Sequence, residues 1–251
     1  MKIGIIGIGA IGSTLAKKLA AAGHEVKVTN TATPSDLALK AKELNSIPAT
    51  SEEVVKNVDV IVLSVPTKAI LKLPKGLFND VANNVIIIDT SNYYPFRDGE
   101  IEELKNGKVE SEWVSEQIGK PVVKAFNNLL AYTLENLGHP KGDVDRIALS
   151  VAGDDINAKE TVISLINDTG FDAVDTGNLS QSWRQQPGTP AYCTELNATE
   201  LKQALANGIK EKAAELRDFA ITKLMGLTTP PTHKDIIELN RSLFPKNPKA
   251  V

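Results

Sequence analysis

The sequence is poor in cysteine, in excess charge and in long apolar runs. Cys193 is the only cysteine among 251 residues, so no intramolecular disulfide can form, and a reducing compartment is indicated. Lys and Arg number 28 against 31 Asp and Glu, which provides no basic surface for nucleic acid or an anionic membrane. No apolar run approaches the ~20 residues that span a bilayer. Because a predicted strand begins at the first residues and leaves no room for a signal peptide, we expect a cytoplasmic protein.

Motifs of metal and acid–base chemistry are missing as well. The three histidines, His24, His139 and His233, follow no metal-ligand spacing and form no Ser/His/Asp order. We therefore expect no metal site and no catalytic acid or base, and Cys193 is expected to be an inert thiol. Any redox chemistry would have to come from a bound cofactor, which the protein positions.

The most informative motif stands at the start, where residues 2–12 read KIGIIGIGAIG. An apolar strand runs into Gly7-x-Gly9-x-x-Gly12, and a helix and a second strand follow. In this context Gly7 permits the turn, Gly9 leaves the main chain open to a diphosphate, and Gly12 lets the helix pack closely on the sheet. The motif predicts dinucleotide binding at the helix N-terminus. The predicted contacts are Gly7, Gly9, Ala10, Ile11 and Gly12.

Short apolar runs alternate with helical stretches along the chain, as is typical of a parallel sheet covered on both faces. The predicted strands cover residues 2–6, 25–29, 58–65, 85–89, 121–126, 146–152 and 172–174. The clearest predicted helices cover residues 11–22, 35–44, 156–168, 198–224 and 233–243, and residues 245–251 are expected to form a frayed tail. We expect an α/β fold of the Rossmann type, doubly wound and mostly parallel, with a small helical C-terminal portion. Residues 1–180 would form the dinucleotide-binding domain and residues 181–251 a smaller loop and helical segment.

The end of the second strand indicates which dinucleotide is preferred. A carboxylate there would bind the ribose hydroxyls of NAD and repel a 2′-phosphate, but none occurs before Asp36. Instead the segment offers hydroxyl and amide groups at a predicted helix N-terminus, which favours NADP. The predicted contacts are Asn30, Thr31, Thr33 and Ser35. An ordinary Thr-rich loop without cofactor preference remains an alternative, because no arginine is present to bind the phosphate.

At this point the chain resembles the coenzyme F420-dependent NADP oxidoreductase family over roughly residues 1 to 195. The motifs that carry the resemblance are Gly7-x-Gly9-x-x-Gly12, Gly23-His24-Glu25-Val26, Ser64-Val65-Pro66, Val122-Val123-Lys124-Ala125-Phe126-Asn127, Val151-Ala152-Gly153-Asp154-Asp155, Gly170-Phe171-Asp172-Ala173-Val174-Asp175 and Pro187-Gly188-Thr189-Pro190-Ala191-Tyr192. The resemblance implies hydride transfer between NADP(H) and a flavin or deazaflavin, with F420, FMN or FAD as acceptor, and commonly a homodimer. Family members often place an arginine where this chain has Ala32, so strict preference for NADP over NAD is left open.

Two other functions remain open from the sequence. One is an NADP-dependent dehydrogenase of a small hydroxy acid or an imine, although the helix-borne Gly-x-x-Gly-x-x-x-Lys arrangement usual for such enzymes is not found. The other is a non-catalytic sensor that binds NADP and reports redox state to a partner protein.

Ligands of parallel sheets bind at the carboxyl ends of the strands, so the loops after the third, fourth and fifth predicted strands should line the nicotinamide. The predicted cofactor contacts in these loops are Val65, Pro66, Thr67, Asn92 and Asn127. Tyr93 and Tyr94 either stack on the acceptor ring or pack within the loop. Lys124, on a strand, either reaches the site or points to solvent.

The loop over residues 182–192 joins aromatic, basic and amide groups among turn residues. We expect it to cover the second substrate, with Arg184 meeting an anionic group and Trp183 or Tyr192 packing on a ring. The alternative is that both aromatic side chains fix the loop to the sheet. Asp154 and Asp155 are interpreted as helix-capping residues rather than catalytic carboxylates.

The predicted helix over residues 198–224 carries a loose apolar stripe that has to be covered. Its members are Leu201, Leu205, Ile209, Ala213, Leu216 and Ala220. The stripe packs either on the protein's own sheet or on the same helix of a second subunit. We expect a homodimer.

Overall fold

Residues 1–244, which the computed structural model describes, form one sheet with helices on both faces. The strands are β1 (Lys2–Ile6), β2 (Glu25–Thr29), β3 (Ile47–Pro48), β4 (Val60–Leu63), β5 (Ile86–Asp89), β6 (Val123–Lys124), β7 (Ala148–Ala152) and β8 (Asp172–Gly177). The helices are α1 (Ala10–Ala21), α2 (Pro34–Glu43), α3 (Ser51–Val54), α4 (Thr67–Ile70), α5 (Pro95–Asp98), α6 (Glu102–Lys105), α7 (Glu110–Ile118), α8 (Ala131–Asn136), α9 (Ile156–Asp168), α10 (Ala198–Ala206), α11 (Lys210–Met225) and α12 (His233–Ser242). A 3₁₀ helix spans Leu179–Gln185.

The strand order is β3-β2-β1-β4-β5-β6-β7-β8. Strands β1 to β3 are added towards one edge of the sheet and β4 onwards towards the other, so the strand order reverses between β1 and β4. The first six strands are parallel, so their carboxyl ends share one edge. This is the Rossmann order, in which ligands bind beside the reversal. The predicted α/β class, with a mostly parallel Rossmann-type sheet and helices at the C-terminus, is confirmed.

The last two strands run the other way. β7 is antiparallel to β6, with Lys124 opposite Ala152, and β8 is parallel to β7. The carboxyl end of β7 therefore lies at the edge opposite the glycine loop. Asp155 caps α9 by accepting the amide hydrogens of Asn157 and Ala158, and Asp154 accepts the Leu179 amide. The capping interpretation is confirmed for Asp155, whereas Asp154 bonds the first residue of the 3₁₀ helix rather than α9.

Alternating residues of each strand point to opposite faces of the sheet and pack in two hydrophobic cores, one on each face. Ile3, Ile5 and their neighbours meet α1, α2 and α9 on one face. Ile6, Ile61 and Leu63 meet α3 and α7 on the other. A third, smaller cluster joins α10 to β7 and β8. Strands buried on both faces explain the near-continuous apolar runs of the sequence.

The prediction of a single helix over residues 198–224 is wrong. The chain forms α10 and α11 instead, interrupted at residues 207–209, where a Cβ on Gly208 would lie 3.2 Å from the Trp183 ring. The apolar stripe splits accordingly, because Leu201 and Leu205 pack on the sheet while Ile209 is 53% exposed.

Several element boundaries also differ from the predictions. β4 and β6 are shorter than the runs 58–65 and 121–126, since Phe126 takes a positive φ of 58° and ends β6. β8 is longer than 172–174, and β3 and the helices α3 to α8 were not predicted. The predicted tail, 245–251, lies outside the described residues, and the predicted domain division at residue 180 stays a prediction. None of the helices within residues 1–244 is long and apolar enough to cross a membrane.

Candidate active site

The three glycines of the opening loop meet different surroundings. A Cβ on Gly7, whose φ is +94°, would lie 2.3 Å from the Ser64 carbonyl oxygen, and one on Gly12 would lie 2.0 Å from the Gly7 carbonyl oxygen. The protein's own packing thus requires both. A Cβ on Gly9 would meet no atom within 4 Å, and the Gly9 backbone is extended. This open space at the start of α1 fits the close approach of a ligand to the main chain.

The N-terminus of α1 is suited to an anion. The first amides of a helix, here those of Ala10, Ile11 and Gly12, have no intrahelical acceptor, and no side chain caps the helix at Gly9. No acidic residue stands in the first turn. The Ser13 and Thr14 hydroxyls donate to the Gly9 and Ala10 carbonyls, so the site offers main-chain donors and the positive end of the helix dipole.

The β2–α2 loop has a less favourable charge than its sequence predicted. Thr33 caps α2 by accepting the Asp36 amide hydrogen, and its hydroxyl donates to Asp36 Oδ2 at 2.7 Å and contacts Ser35 Oγ at 3.0 Å. The Asn30 side chain accepts the Ala32 amide hydrogen, which closes a tight turn. A carboxylate therefore stands beside the hydroxyls expected to hold a 2′-phosphate. The sequence pattern Thr-x-x-Asp, typical of a helix cap, could have revealed this.

The loop after β4 lies against the glycine loop. The Val65 Cγ1 atom would be 2.7 Å from a Cβ on Gly7, and Val65 is half-buried while Pro66 is exposed. Thr67 is fully buried, and its Oγ1 has no hydrogen-bond partner within residues 1–244. The structure thus brings Val65 and Pro66 to the predicted side of the site and withdraws the Thr67 side chain from it.

Asn92 and Asn127, from the loops after β5 and β6, meet as predicted but bond each other. Asn127 Nδ2 donates to Asn92 Oδ1 at 2.9 Å, and Asn92 Nδ2 donates to the Asn127 carbonyl at 3.0 Å. Gln185 Nε2 donates to Asn127 Oδ1 at 2.9 Å, and Asn127 is only 2% exposed. We therefore assign the Asn127 amide to holding the loops together rather than to contact with a cofactor.

Lys124 points neither into the site nor to solvent, contrary to both sequence alternatives. Its fully buried ammonium donates to Asp89 Oδ2 at 3.0 Å and to the Ser91 carbonyl. Asp89 also accepts from Ser111 Oγ at 2.7 Å and from the Ser91 amide at 2.9 Å. A charge buried at this depth is tolerated only when it is paired and hydrogen-bonded. The pair fixes the main chain that leads from β5 into the Asn92–Tyr94 segment.

Tyr93 is a core residue, so its predicted stacking on an acceptor ring is wrong. It is 2% exposed, its hydroxyl donates to the Gly99 carbonyl at 3.0 Å, and its amide donates to Glu110 Oε2 at 3.1 Å. The Arg217 guanidinium of α11 lies 5.4 Å from its ring centre. Burial raises the pKa of Glu110 above its usual value, although Lys124 and a hydrogen bond from Gln186 oppose the shift.

Tyr94 and Tyr192 come together although 98 residues separate them. Their hydroxyl oxygens are 2.7 Å apart, and burial raises the pKa of both phenols well above the usual value. Adjacent residues of an extended segment point to opposite sides, which explains why Tyr94 faces outward from the core that buries Tyr93.

Trp183 and Arg184 are engaged within the protein. Arg184 lies over the Trp183 ring at 4.5 Å, donates to the Leu205 carbonyl at 2.9 Å and bonds Gln181 at 3.0 Å. The Trp183 ring fits against Gly208. These contacts support the packing alternative for Trp183, and the expected contact of Arg184 with a substrate anion has no support here. Cys193 is buried, and burial raises the pKa of its thiol to about 12, which suits an inert thiol.

Comparison with known proteins gives consistent matches. A family model described as "NADP oxidoreductase coenzyme F420-dependent" matches residues 2–93. YjhV of Escherichia coli (strain K12) is 39% identical over 104 residues, which are 41% of this chain and 76% of that protein. Hypothetical protein SMa0349 from Sinorhizobium meliloti is 30% identical with a TM-score of 0.66, over 78% of this chain and 95% of that one. A "putative f420 dependent nadp-reductase" from Arthrobacter sp. FB24 shares the fold at 24% identity and a TM-score of 0.60, over 72% and 87%.

Proposed function

This chain belongs to the family of coenzyme F420-dependent NADP oxidoreductases, and within that family we propose that it transfers a hydride between NADP(H) and a flavin or deazaflavin acceptor. The observation that carries the proposal is the open space at Gly9, beside two glycines that the protein's own packing requires. The open space at Gly9 follows β1, beside the point between β1 and β4 where the strand order reverses.

The residues of the opening loop would hold the diphosphate of the cofactor. The amides of Ala10, Ile11 and Gly12 would donate to its oxygens, while Gly9 leaves room for them. The half-buried Val65 and exposed Pro66 would form an apolar wall next to the nicotinamide. When bound, NADP(H) supplies the hydride, so the protein's part is to orient two rings and exclude water.

We propose NADP rather than NAD as the cofactor, with modest discrimination. Asn30, Thr31, Thr33 and Ser35 surround the N-terminus of α2 and are exposed or partly exposed, which suits a 2′-phosphate. Ala32 provides no charge, and the Asp36 carboxylate opposes an anion.

A homodimer and a cytoplasmic location belong to the same proposal. Among the described residues of α11, only Arg217 and Ala220 are buried, whereas Phe219 is 48% exposed and Met225 is 71% exposed. A second copy would cover this apolar face by isologous pairing. The lone thiol of Cys193 suits a reducing compartment.

The test is NADPH oxidation followed at the nicotinamide absorbance band, with F420, FMN or FAD as acceptor. Turnover with a flavin-type acceptor supports the proposal. A second panel offers the oxidised cofactor with hydroxy acids or amines, and turnover there alone would replace the proposal by the dehydrogenase alternative. Binding of NADPH without any turnover would favour the sensor.

A further inference from the structure

Charged side chains hold the main chain of residues 91–94, the segment that follows β5. Three amide hydrogens of the segment are accepted by carboxylates, from Ser91 to Asp89 Oδ1 at 2.9 Å, from Tyr93 to Glu110 Oε2 at 3.1 Å and from Tyr94 to Asp98 Oδ2 at 3.0 Å. Two of its carbonyls accept from cations, Ser91 from Lys124 and Asn92 from Arg97 at 2.6 Å. Hydrogen bonds to charged groups are roughly twice as strong as neutral ones. The segment is therefore held more firmly than an ordinary surface loop.

Most of the charge that holds this segment is buried. The side chains of Lys124 and Asp89 have no exposed area, and neither does the carboxylate of Asp98. Taking an ion pair out of water is costly, and apolar residues of similar size often serve stability equally well. Stability alone thus does not account for the Asp89–Lys124 pair, whereas the fixed geometry that it imposes does.

Lys124 acts on the segment at more than one point. Its ammonium, which comes from β6, donates to Asp89 Oδ2 at 3.0 Å and to the Ser91 carbonyl, while Asp89 Oδ1 accepts the Ser91 amide. One ion pair therefore holds both main-chain polar groups of Ser91. Burial raises the pKa of Glu110, and the charge of Lys124 opposes that rise, so its electrostatic effect also reaches the carboxylate that holds Tyr93.

Asn92, the residue after Ser91, stands at the edge where the nicotinamide is expected. It is half-buried, and its side chain bonds Asn127 of the loop after β6. The carboxyl ends of β5 and β6 flank the ligand side of this sheet. An amide side chain offers both a donor and an acceptor, which matches the carboxamide of nicotinamide. Hydride transfer needs the reacting atoms about 3–3.5 Å apart, so the position of Asn92 bears directly on the rate.

We propose that Lys124 is a positioning residue for hydride transfer: paired with Asp89, it fixes Ser91 and thereby places Asn92 against the nicotinamide. This inference rests on the proposed function, because it requires the nicotinamide at this edge of the sheet. Lys124 remains buried and acts through Asn92 rather than by touching the cofactor or the acceptor.

The test uses a double variant, Asp89→Asn/Lys124→Met. Lys124→Met alone would leave the Asp89 carboxylate as an unpaired buried charge, which destabilises the fold. The double variant removes both charges together, and the asparagine keeps an oxygen that can accept the Ser91 amide hydrogen.

The matched control is Asp175→Asn/Lys159→Met. Lys159 of α9 is 8% exposed and donates to the two Asp175 oxygens at 2.9 and 2.8 Å. Asp175 lies towards the carboxyl end of β8, which is parallel to β7 and ends at the edge opposite the glycine loop. This pair also joins a buried lysine to an aspartate, but it lies away from the candidate site. We expect the control to keep the wild-type ligand affinities and kcat.

Two ligands separate positioning from a general structural effect. NADPH carries the nicotinamide, whereas 2′-phospho-ADP-ribose lacks it and keeps the rest of the cofactor. In the double variant we expect NADPH affinity to fall by about tenfold, as for one lost hydrogen bond. The affinity of 2′-phospho-ADP-ribose, measured by calorimetry, should change by less than about threefold, because the glycine loop is untouched. We expect kcat with a flavin-type acceptor to fall by about 10²-fold.

Hydrogen exchange of wild-type protein without cofactor provides a second measurement, which does not depend on how the variant folds. The amide hydrogens of Ser91, Tyr93 and Tyr94 should exchange as slowly as those of β5, since a preformed segment opens only with the fold around it. Exchange as fast as in the exposed turn at Gly142 would overturn the inference.

Failure of the inference and failure of the proposed function give different results. If wild type binds NADPH but oxidises it with no flavin-type acceptor, the acceptor is wrong, and the two affinities still decide the role of Lys124. If wild type turns over and the folded double variant keeps its kcat and its NADPH affinity, the positioning role alone is refuted. A parallel loss of affinity for both ligands refutes it as well, because the effect would then not be confined to the nicotinamide.

Discussion

Gly9→Val should strongly weaken cofactor binding while the protein stays folded. The added Cβ meets no protein atom within 4 Å and the backbone is extended there, so the cost to the fold is that of a poorer helix cap, about 1 kcal/mol. For a chain of this length that lowers the melting temperature by about 2–4 °C. The same side chain fills the space intended for the diphosphate. Losing two charge-assisted hydrogen bonds of about 1.5–3 kcal/mol each weakens NADPH binding by ~10²–10⁴-fold.

Gly12→Ala should instead lower the stability of the fold, in contrast to Gly9→Val. Its Cβ would lie 2.0 Å from the Gly7 carbonyl oxygen, so the loop has to shift, at a cost of about 1–3 kcal/mol or more in unfolding free energy. Ala21→Val, exposed at the far end of α1, is the control for adding bulk to this helix. Fluorescence titration with NADPH and thermal melting give the two readouts. A folded Gly9→Val protein that binds NADPH undiminished would refute the assignment of the loop.

Three further predictions follow from charge and burial. Ala32→Arg should tighten NADPH, but not NADH, by about 1–3 kcal/mol in paired titrations, and equal affinities before and after the change would show that the 2′-phosphate lies elsewhere. Burial raises the pKa of Glu110, so its stabilising effect is complete below the unfolded value near 4.5 and is lost as pH rises through the folded value. Glu110→Gln should therefore flatten the fall of melting temperature with pH above that point, and parallel curves would contradict the reasoning. Sedimentation should show wild type at twice its 27.0 kDa mass and Phe219→Glu as a monomer, whereas a wild-type monomer at micromolar concentration would remove the dimer.

Local patterns made the first half of the fold predictable. The glycine motif and the apolar runs fix β1, α1 and β2 through short-range requirements, and the structure places them where the pattern did. The reversed direction of β7 was not predictable, because a single antiparallel contact between Lys124 and Ala152 depends on how distant segments pack. The break before α11 has the same origin, since Gly208 matters only once the Trp183 ring lies against it.

The candidate site shows the same division. Sequence placed the loops after β4, β5 and β6 at one edge, and they do meet there. It could not tell which of two adjacent tyrosines faces the core, because that depends on the phase of one extended segment. Nor could it pair Lys124 with Asp89, which lies 35 residues away.

The pairing between β6 and β7 determines how the two parts of the sheet are held together. Within residues 1–244, the main-chain ladder between β6 and β7 consists of one residue pair, Lys124 opposite Ala152. Side-chain amides add links at this junction, with Gln185 Nε2 donating to the Lys124 and Ser150 carbonyls and Asn128 Oδ1 accepting the Ser150 amide. Amide side chains exchange partners singly, whereas a continuous ladder of main-chain bonds opens only as a unit. The junction therefore depends on these amides and on the apolar core in which Leu149, Val151 and Val162 pack with Ile3 and Ile5, rather than on a ladder of main-chain bonds.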